Sequence, residues 1–326
     1  MNRIVIMALA MVALGLSSFA ASQPPPDTVK VGVYVISVHD IDFHDKEYTI
    51  RFWLWFVYKP QVPNPDEPIQ FNFEDQIDIP NAKEIEISES IADTVRGKVW
   101  VQLKLRCVMK ENWRVENFPF DEQKLRVVVE NTIFDQSRLI FVADKDDSKF
   151  DNVESLDTWT VDNFEVTTNV SLYSTGFGDP QPDRRASIYS TFIFGMDIKR
   201  EAAGLFAKIF IGMYIAFLIA IVSFTPHPWE LEPRFGLPVG GLFAAVGNKY
   251  IIDSLLPESS QFTLVDTLHT LTFLSIFGAL VVSAIALKLH DWGRKEQCIR
   301  VSKRGATLVI VAYVIANIFF IWQALL

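Results

Sequence analysis

Cysteine is scarce in this chain of 326 residues, which contains only Cys107 and Cys298. A long apolar run at 205–224 separates the two, and a run of that length is typical of a membrane span. We therefore expect the cysteines to lie on opposite sides of a membrane and to form no disulfide with each other. An exported domain in this chain must then be stabilised by its core alone.

Basic residues are outnumbered, and the net charge is −9. Most of the acidic excess lies before residue 200, which argues against a nucleic-acid partner and favours weak attraction of cations, although simple solubility accounts for most acidic surfaces. The chain also lacks a GxSxG motif, a phosphate-binding loop and a Ser/His/Asp set, so we expect no enzyme and no cofactor. His39 and His44 have no third ligand at metal spacing, which favours a surface or packing role over a metal site.

The first 22 residues have the pattern of a secretory signal peptide. Arg3 gives the positive start, 4–16 the apolar core, and 18–21 the small residues of a cleavage region. The cleavage position stays open, and an uncleaved anchor is the alternative.

Residues 23–200 alternate apolar and polar side chains in many short runs. The clearest are Val29–Val35, the aromatic run 50–58, and the runs 99–107, 125–129, 164–172 and 188–198. Loops rich in Pro and Asp are predicted at 59–68 and 175–186. The pattern predicts an antiparallel, immunoglobulin-like β-sandwich of about ten strands.

Residues 201–326 predict a bundle of four membrane helices, at about 205–224, 235–256, 264–289 and 306–326. The second is the least apolar, since glycines, Asn248, Lys249 and Asp253 interrupt it. Basic residues crowd 288–304, which places that loop in the cytoplasm. With the β domain exported, the chain must cross outward once between the first and third helices, and only 235–256 is long enough. Both mature termini are then outside.

The loop Phe118-Pro119-Phe120-Asp121, followed by Gln123 and Leu125, resembles the FPFD-x-Q-x-L loop of pentameric ligand-gated ion channels, the Cys-loop receptor superfamily. Arg200 before the first span and the four-helix tail are similar too, so the resemblance covers essentially the whole mature chain. The loop lacks both flanking cysteines, which is similar to the prokaryotic branch. The resemblance implies a homopentamer, each chain with four identical partners, in a bacterial inner membrane with the β domain in the periplasm or outside.

The resemblance also implies that the second helix of each subunit lines a central pore. Its pore face, spaced four and three residues apart, comprises Glu232, Gly236, Gly240, Phe243, Gly247, Tyr250 and Ser254. Phe243 would form a hydrophobic gate, and Glu232 an acidic ring that favours cations, unless Arg234 nearby offsets it. The alternative is that Gly236 and Gly240 pack against a neighbouring helix and that the pore does not conduct.

Coupling between the domains is implied at Asp121 and Arg200, with Phe118, Pro119, Phe120 and Pro257 beside them and an acid such as Asp42 as third partner. A solvated surface ion pair is the alternative. Ligand residues are implied at subunit interfaces, where an amine would bind aromatic faces near an acid such as Asp179; the candidates are Tyr189, Phe177, Tyr173 and Phe134, with Trp53 and Trp55 facing them from the next subunit. For each single aromatic residue, a place in the core is the alternative.

His269 is an ionisable residue inside the third span, which makes it a candidate proton sensor or a hydrogen-bonded packing residue. The expected function is a ligand-gated, cation-conducting channel, opened by a small ligand or protons, whose partners are the lipid bilayer and the permeating ions. The alternative is a non-conducting receptor of the same fold. The ligand itself cannot be deduced from the sequence.

Overall fold

The computed structural model of the chain describes residues 25–59, 71–150, 156, 158–178, 186–257 and 261–325. The predicted signal peptide at 1–22, most of the predicted loop 59–68, and Asp179 lie outside the described residues.

Ten strands in two sheets make up the N-terminal region of the described chain. They are β1 (Asp27–Asp42), β2 (Glu47–Tyr58), β3 (Ile77–Asp78), β4 (Ala82–Val95), β5 (Lys98–Lys110), β6 (Glu122–Asn131), β7 (Leu139–Ala143), β8 (Lys149–Phe150), β9 (Trp159–Tyr173) and β10 (Ser187–Arg200). One sheet has the order β4-β5-β2-β1-β7 with β8 beside β1, and the other has the order β3-β6-β10-β9.

The core between the sheets is built by the alternation seen in the sequence. The valines at positions 29, 31, 33 and 35 are fully buried on one face of β1. Phe52 of β2 meets Phe194 of β10 edge to face, with ring centroids 5.0 Å apart, and this contact joins the two sheets. The fold therefore has the two layers of a β-sandwich. One prediction was wrong in detail: β1 pairs in parallel with β7 and β8, so the larger sheet is mixed rather than antiparallel.

Within the described residues, four long helices follow a short turn of helix, α1 (Phe73–Gln76). They are α2 (Ala202–Val222), α3 (Leu231–Asp253), α4 (Leu264–Asp291) and α5 (Lys295–Ala324). All four are long and apolar enough to cross a membrane. The second helix begins four residues before the predicted 235, and Pro238 lies within its first turns. The largest difference is at α5, which begins at Lys295 instead of 306, so most of the basic stretch is helical and only a short turn joins α4 to α5.

The sheets and the helices share one continuous apolar core. Phe120, in the loop before β6, packs against Phe206 of α2 with ring centroids 5.4 Å apart. The backbone N–H of Leu264, the first residue of α4, donates to the carbonyl of Glu116 at 2.8 Å. The loop 111–121 is thus joined directly to the start of the third membrane-length helix.

Candidate functional site

One face of α3 is left open by the rest of the chain. All seven predicted pore residues are exposed, with Phe243 73 % and Tyr250 78 % accessible. Successive helical residues are about 100° apart, so this face is opposite the buried one. The buried face packs on α2 and α4, and its residues are Arg234, Pro238, Gly241, Ala245 and Ile252.

The glycines of α3 fall into two classes. A Cβ atom built on Gly241 would lie 2.6 Å from the carbonyl oxygen of Ala216, so Gly241 is the residue that lets α3 approach α2 closely. A Cβ on Gly236, Gly240 or Gly247 would meet nothing within 4 Å. Within one chain, the close helix contact considered as an alternative for Gly236 and Gly240 is therefore made by Gly241.

Glu232 and Arg234 lie on opposite sides of α3. Glu232 is exposed on the open face, whereas Arg234 is only 1 % exposed. The Arg234 guanidinium donates to the carbonyl of Pro226 at 3.0 Å and lies 5.2 Å from the ring of Phe224. The open face therefore presents the carboxylate of Glu232 without an adjacent guanidinium.

The C-terminal end of α3 is tied to α4 by an ionic clasp of Lys249, Asp253 and Asp266 that the sequence analysis missed. Lys249 Nζ lies 2.7 Å from Asp253 and 2.8 Å from Asp266 of α4. Asp266 also accepts from the backbone of Thr263 in the capping box that begins α4. A cavity of about 470 Å³ beside this clasp is lined by Tyr250, Ser254 and Pro257, among others. The i, i+4 spacing of Lys249 and Asp253 is visible in the sequence, whereas the contact with Asp266 depends on tertiary packing.

Asp121 and Arg200 form a buried ion pair where the sheets meet the helices. Arg200 Nε donates to Asp121 Oδ1 at 2.8 Å, and their side chains are 9 % and 1 % exposed. The second oxygen of Asp121 accepts from Gln123 Nε2, also at 2.8 Å. The pair is buried and hydrogen-bonded on both sides, unlike the solvated pair considered as the alternative.

Aromatic rings, rather than a second acid, complete the surroundings of Arg200. Its guanidinium carbon lies 4.0 Å from the ring centroid of Trp159, 4.7 Å from Phe43 and 5.1 Å from Phe118. Asp42, assigned as the third partner, is exposed and accepts from the backbone N–H of Asp45 at 2.8 Å, so its carboxylate caps a turn. The prediction for Asp42 does not match this geometry because the adjacent Phe43 is the residue that points inward. The Phe118–Pro119 bond in the same loop is cis.

Three of the predicted ligand residues come together at the end of the smaller sheet. The ring of Tyr173 lies 5.4 Å from Phe177 and 5.8 Å from Tyr189, centroid to centroid. They line a cavity of about 790 Å³ that also includes Asp78 and Glu130. Tyr173 pairs with Ser187 in the β9–β10 ladder, and Tyr189 is two residues further along β10. Residues two apart on a strand share a face, so both rings lie on the same side of the sheet.

Glu130 is the residue of this cavity that the sequence analysis missed. It is buried, and its carboxylate accepts a hydrogen bond from the Tyr173 hydroxyl at 2.8 Å and another from Ser171. Burial first, and then the carboxylates of Glu130 and Asp78, raise the pKa of Tyr173 to about 12. The phenol therefore stays protonated at neutral pH and holds Glu130 at the wall of the cavity.

The other predicted ligand residues lie elsewhere within the chain. Phe134 packs edge to face on Phe71, with centroids 5.1 Å apart. Trp53 and Trp55 are on the larger sheet, half-buried. Lys104 Nζ lies 5.0 Å from the Trp53 ring, and the Trp55 indole covers Gly32 and donates to Asp144 at 3.4 Å. One chain therefore does not bring these rings to the cavity, and any contact between them requires a second subunit.

Among the residues that the structure describes, no group of three or more His, Cys, Asp or Glu side chains is arranged to hold a metal ion. His39 pairs with Asp40 at 2.8 Å, and His44 borders the cavity at the C-terminal end of α3.

Comparison with known proteins gives one distant relative. The chain is 22 % identical to pH-sensitive chloride channel 2 of Anopheles gambiae over 295 residues, which are 83 % of this chain and 47 % of that protein. The chain thus spans about half the length of the relative. No protein-family model matches the chain. Four membrane-length helices and this relative support a multi-pass membrane protein.

Proposed function

We propose that this chain is the subunit of an ion channel of the pentameric ligand-gated class. The observation that carries the proposal is the open face of α3, where a row of glycines, one phenylalanine and an acid is exposed on an otherwise apolar membrane helix. Polar groups and glycines at membrane depth face protein or water rather than lipid. Five copies with this face turned inward enclose a water-filled path. The relative named as a chloride channel supports an ion channel in general.

In this arrangement Phe243 forms the narrowest apolar ring. It is the only large apolar side chain in the row of seven apart from the amphipathic Tyr250, and glycines stand one turn away on either side. A ring of five phenyl groups closes a pore by dewetting, without any ionic barrier. Wide glycine rings above and below leave Phe243 as the gate.

We propose that the pore selects cations through a ring of Glu232. The support is its exposure on the open face and the burial of Arg234 on the opposite one. Chloride selectivity is the second candidate, because the relative is named a chloride channel and Arg234 puts a buried positive charge near the same end of the helix. A non-conducting receptor of the same fold is the third.

Flux measurements on purified protein separate these candidates. The full chain is reconstituted in liposomes, and sodium and chloride fluxes are followed separately under an imposed gradient. A sodium flux that is lower in Glu232→Gln than in the wild type supports the proposal. A chloride flux that is the same in both proteins supports the second candidate. An absence of flux in the wild type and in Phe243→Ala supports the receptor. Particle mass then tests the assembly, since any number of subunits other than five contradicts it.

We propose that the cavity of Tyr173, Phe177 and Tyr189 takes an organic cation. Aromatic faces attract cations through their quadrupoles, and the buried carboxylate of Glu130 supplies a charge partner at the wall. The Trp53 and Trp55 face of the larger sheet is assigned to the adjacent subunit, which closes the cavity from the other side.

Glu130→Gln is expected to weaken binding of tetramethylammonium and propylammonium by about tenfold or more, because a hydrogen bond or ion pair to a charged group contributes about 1.5–3 kcal/mol. Isothermal titration of the wild type and the variant measures this, with neutral tert-butanol as the matched probe. Glu165→Gln, an exposed acid on the same strand as Tyr173, is the control. Equal affinities in the wild type and Glu130→Gln would contradict the assignment.

We also propose the orientation and the boundaries. Residues 23–200 form the exported domain, and 201–326 form the membrane domain of a bacterial inner-membrane channel rather than an enzyme. The basic residues around the α4–α5 turn support a cytoplasmic position for that turn. Asp121, Arg200 and the loop 111–121 then lie at the outer membrane surface, where they couple the two domains.

A further inference from the structure

His269 lies fully buried inside the helix bundle, between two hydrogen-bond acceptors. Its Nδ1 is 2.8 Å from the carbonyl oxygen of Val265, one turn earlier on α4. Its Nε2 is 3.3 Å from Oδ1 of Asn248 on α3. A neutral imidazole has one N–H, so it can donate to only one of these two oxygens.

Asn248 extends this chain of hydrogen bonds to a third helix, α2. Its Nδ2 donates to the backbone carbonyl of Ile209 on α2 at 3.2 Å. A Cβ atom on Gly212 would lie 3.2 Å from both Cγ and Nδ2 of Asn248, so the absence of a side chain at Gly212 lets the amide reach the α2 backbone. The hydrogen bond to Ile209 and the close contact with Gly212 therefore hold the Asn248 amide in a fixed position.

Turning the Asn248 amide over does not supply the hydrogen bond that neutral His269 lacks. With Nδ2 turned towards His269, the neutral ring accepts a hydrogen bond, but Oδ1 then faces the Ile209 carbonyl and two acceptors oppose each other. In either orientation the neutral state loses one hydrogen bond, either at His269 or at Ile209. When His269 is protonated, the acceptor oxygens of Val265, Asn248 and Ile209 all receive a hydrogen bond. Both ring nitrogens then donate, and Nδ2 of Asn248 stays on the Ile209 carbonyl.

We propose that His269, Asn248 and the Ile209 carbonyl form a proton-binding site that joins α4, α3 and α2, and that proton uptake completes it. The ligand is a single proton on Nε2 of His269, and no other group changes charge. Because Asn248 is on the helix whose opposite side carries Phe243 and Gly247, completion of this bridge fixes the packing of α3 against its neighbours. This regulatory role rests on the proposed channel function, whereas the proton site itself does not.

The charges around His269 come from the ionic clasp one turn away. Lys249 and Asp253 on α3 and Asp266 on α4 act on the imidazole. Lys249 lies between both carboxylates, so the clasp contributes two negative charges and one positive. From α2 the imidazole faces the ring of Phe210, 5.9 Å away, and α5 meets α4 one turn further on, through Tyr313 and Thr272. The clasp thus leaves one net negative charge close to the site.

The titration of His269 is measured on the full chain in lipid nanodiscs labelled with ¹³C-histidine. The chain has five histidines, so loss of one signal in His269→Gln assigns the resonance. If His269→Gln does not fold, removal of the other four histidines one at a time assigns the fifth signal by elimination. We expect the His269 resonance to shift as the ring takes up a proton when the pH is lowered. Asn248→Ala removes one acceptor, and the midpoint should move towards acid by about one pH unit. A resonance that does not titrate between pH 4 and 8.5, or a midpoint that Asn248→Ala leaves in place, overturns the proposal.

Flux against pH in liposomes tests the regulatory part. In the wild type we expect flux to change across the titration range of His269, and this change should disappear in His269→Gln. His39→Gln and His290→Gln, outside the bundle interior, are controls that should keep it. A pH response unchanged in His269→Gln overturns the regulatory role and leaves the channel intact. A lack of flux in all variants overturns the channel function instead, and the nanodisc titration still decides the proton site.

Discussion

Phe243→Ala is expected to raise resting ion flux by on the order of tenfold or more over the wild type. The side chain is 73 % exposed in the single chain, on the face of α3 that packs against nothing within it. If five such faces surround an axis, the five Phe243 rings narrow the pore, because Gly240 and Gly247, about one turn away on either side, have no side chains to fill it. Truncation to a methyl group widens the apolar ring and lets water fill it, which removes the barrier to ions. Liposome flux without added ligand measures the change.

The control for this experiment is Ile251→Ala. Ile251 is also a large apolar residue of α3, is 62 % exposed, and lies outside the row of seven. Its truncation deletes a similar apolar area but leaves the seven residues proposed to face the pore unchanged. Resting flux should therefore stay at the wild-type value. Equal increases in both variants would indicate a general loosening of the helix bundle. Wild-type flux in Phe243→Ala would show that this ring is not the gate.

Arg200→Ala is expected to destabilise the protein by about 3–5 kcal/mol, because it leaves the buried carboxylate of Asp121 without its cation. The cost includes the lost stacking of the guanidinium among Trp159, Phe43 and Phe118. A domain is usually stable by only about 5–15 kcal/mol, so much of the variant should fail to fold at 37 °C. The fraction that folds should not respond to ligand, since the pair sits between the sheets and α2. Yield, thermal unfolding in detergent and ligand-evoked flux measure these effects.

Lys199→Ala is the matched control for Arg200→Ala. Lys199 is the preceding residue and pairs with Glu122 at 2.7 Å, but both side chains of that ion pair are solvent-exposed. Water screens such a pair, so its loss should leave unfolding and flux unchanged. Arg200→Lys keeps the charge but loses the planar fork and its stacking, and we expect it to fold with reduced coupling. Normal ligand-evoked flux in Arg200→Ala would remove the coupling role of the pair.

The sequence predicts best where a short-range period decides the structure. The strand at Val29–Val35 follows from the alternation of apolar and polar residues. The seven-residue face of α3 was implied by the family resemblance, its spacing of four and three residues fits one side of a helix, and the structure exposes all seven. Strand β4 was missed because its sequence is charged and exposed on both faces. It is an edge strand, held by backbone pairing with β5. Its side chains therefore show no alternation of apolar and polar residues from which the strand could be predicted.

Residues that meet only through tertiary packing were beyond such patterns. Glu130 reads as an ordinary polar position at the end of β6, and only the pairing of β9 with β10 brings Tyr173 to it. Trp159 and Phe43 surround Arg200 from distant parts of the chain. The start of α5 was placed too late because apolarity marks the membrane-length segment, whereas the helix continues about three turns before it through basic residues.

The most direct test of a pore lined by α3 is the current through the double variant Phe243→Ala/Gly247→Cys in a planar bilayer. A membrane-impermeant thiol reagent that carries a quaternary ammonium group is added on the side of the β domain. The native Cys107 and Cys298 are fully buried and should not react. We predict that the current falls sharply, whereas Phe243→Ala/Ala245→Cys, with its cysteine on the buried face of the same helix, keeps its current. A current that the reagent does not change in the Gly247→Cys protein would contradict a pore lined by this face.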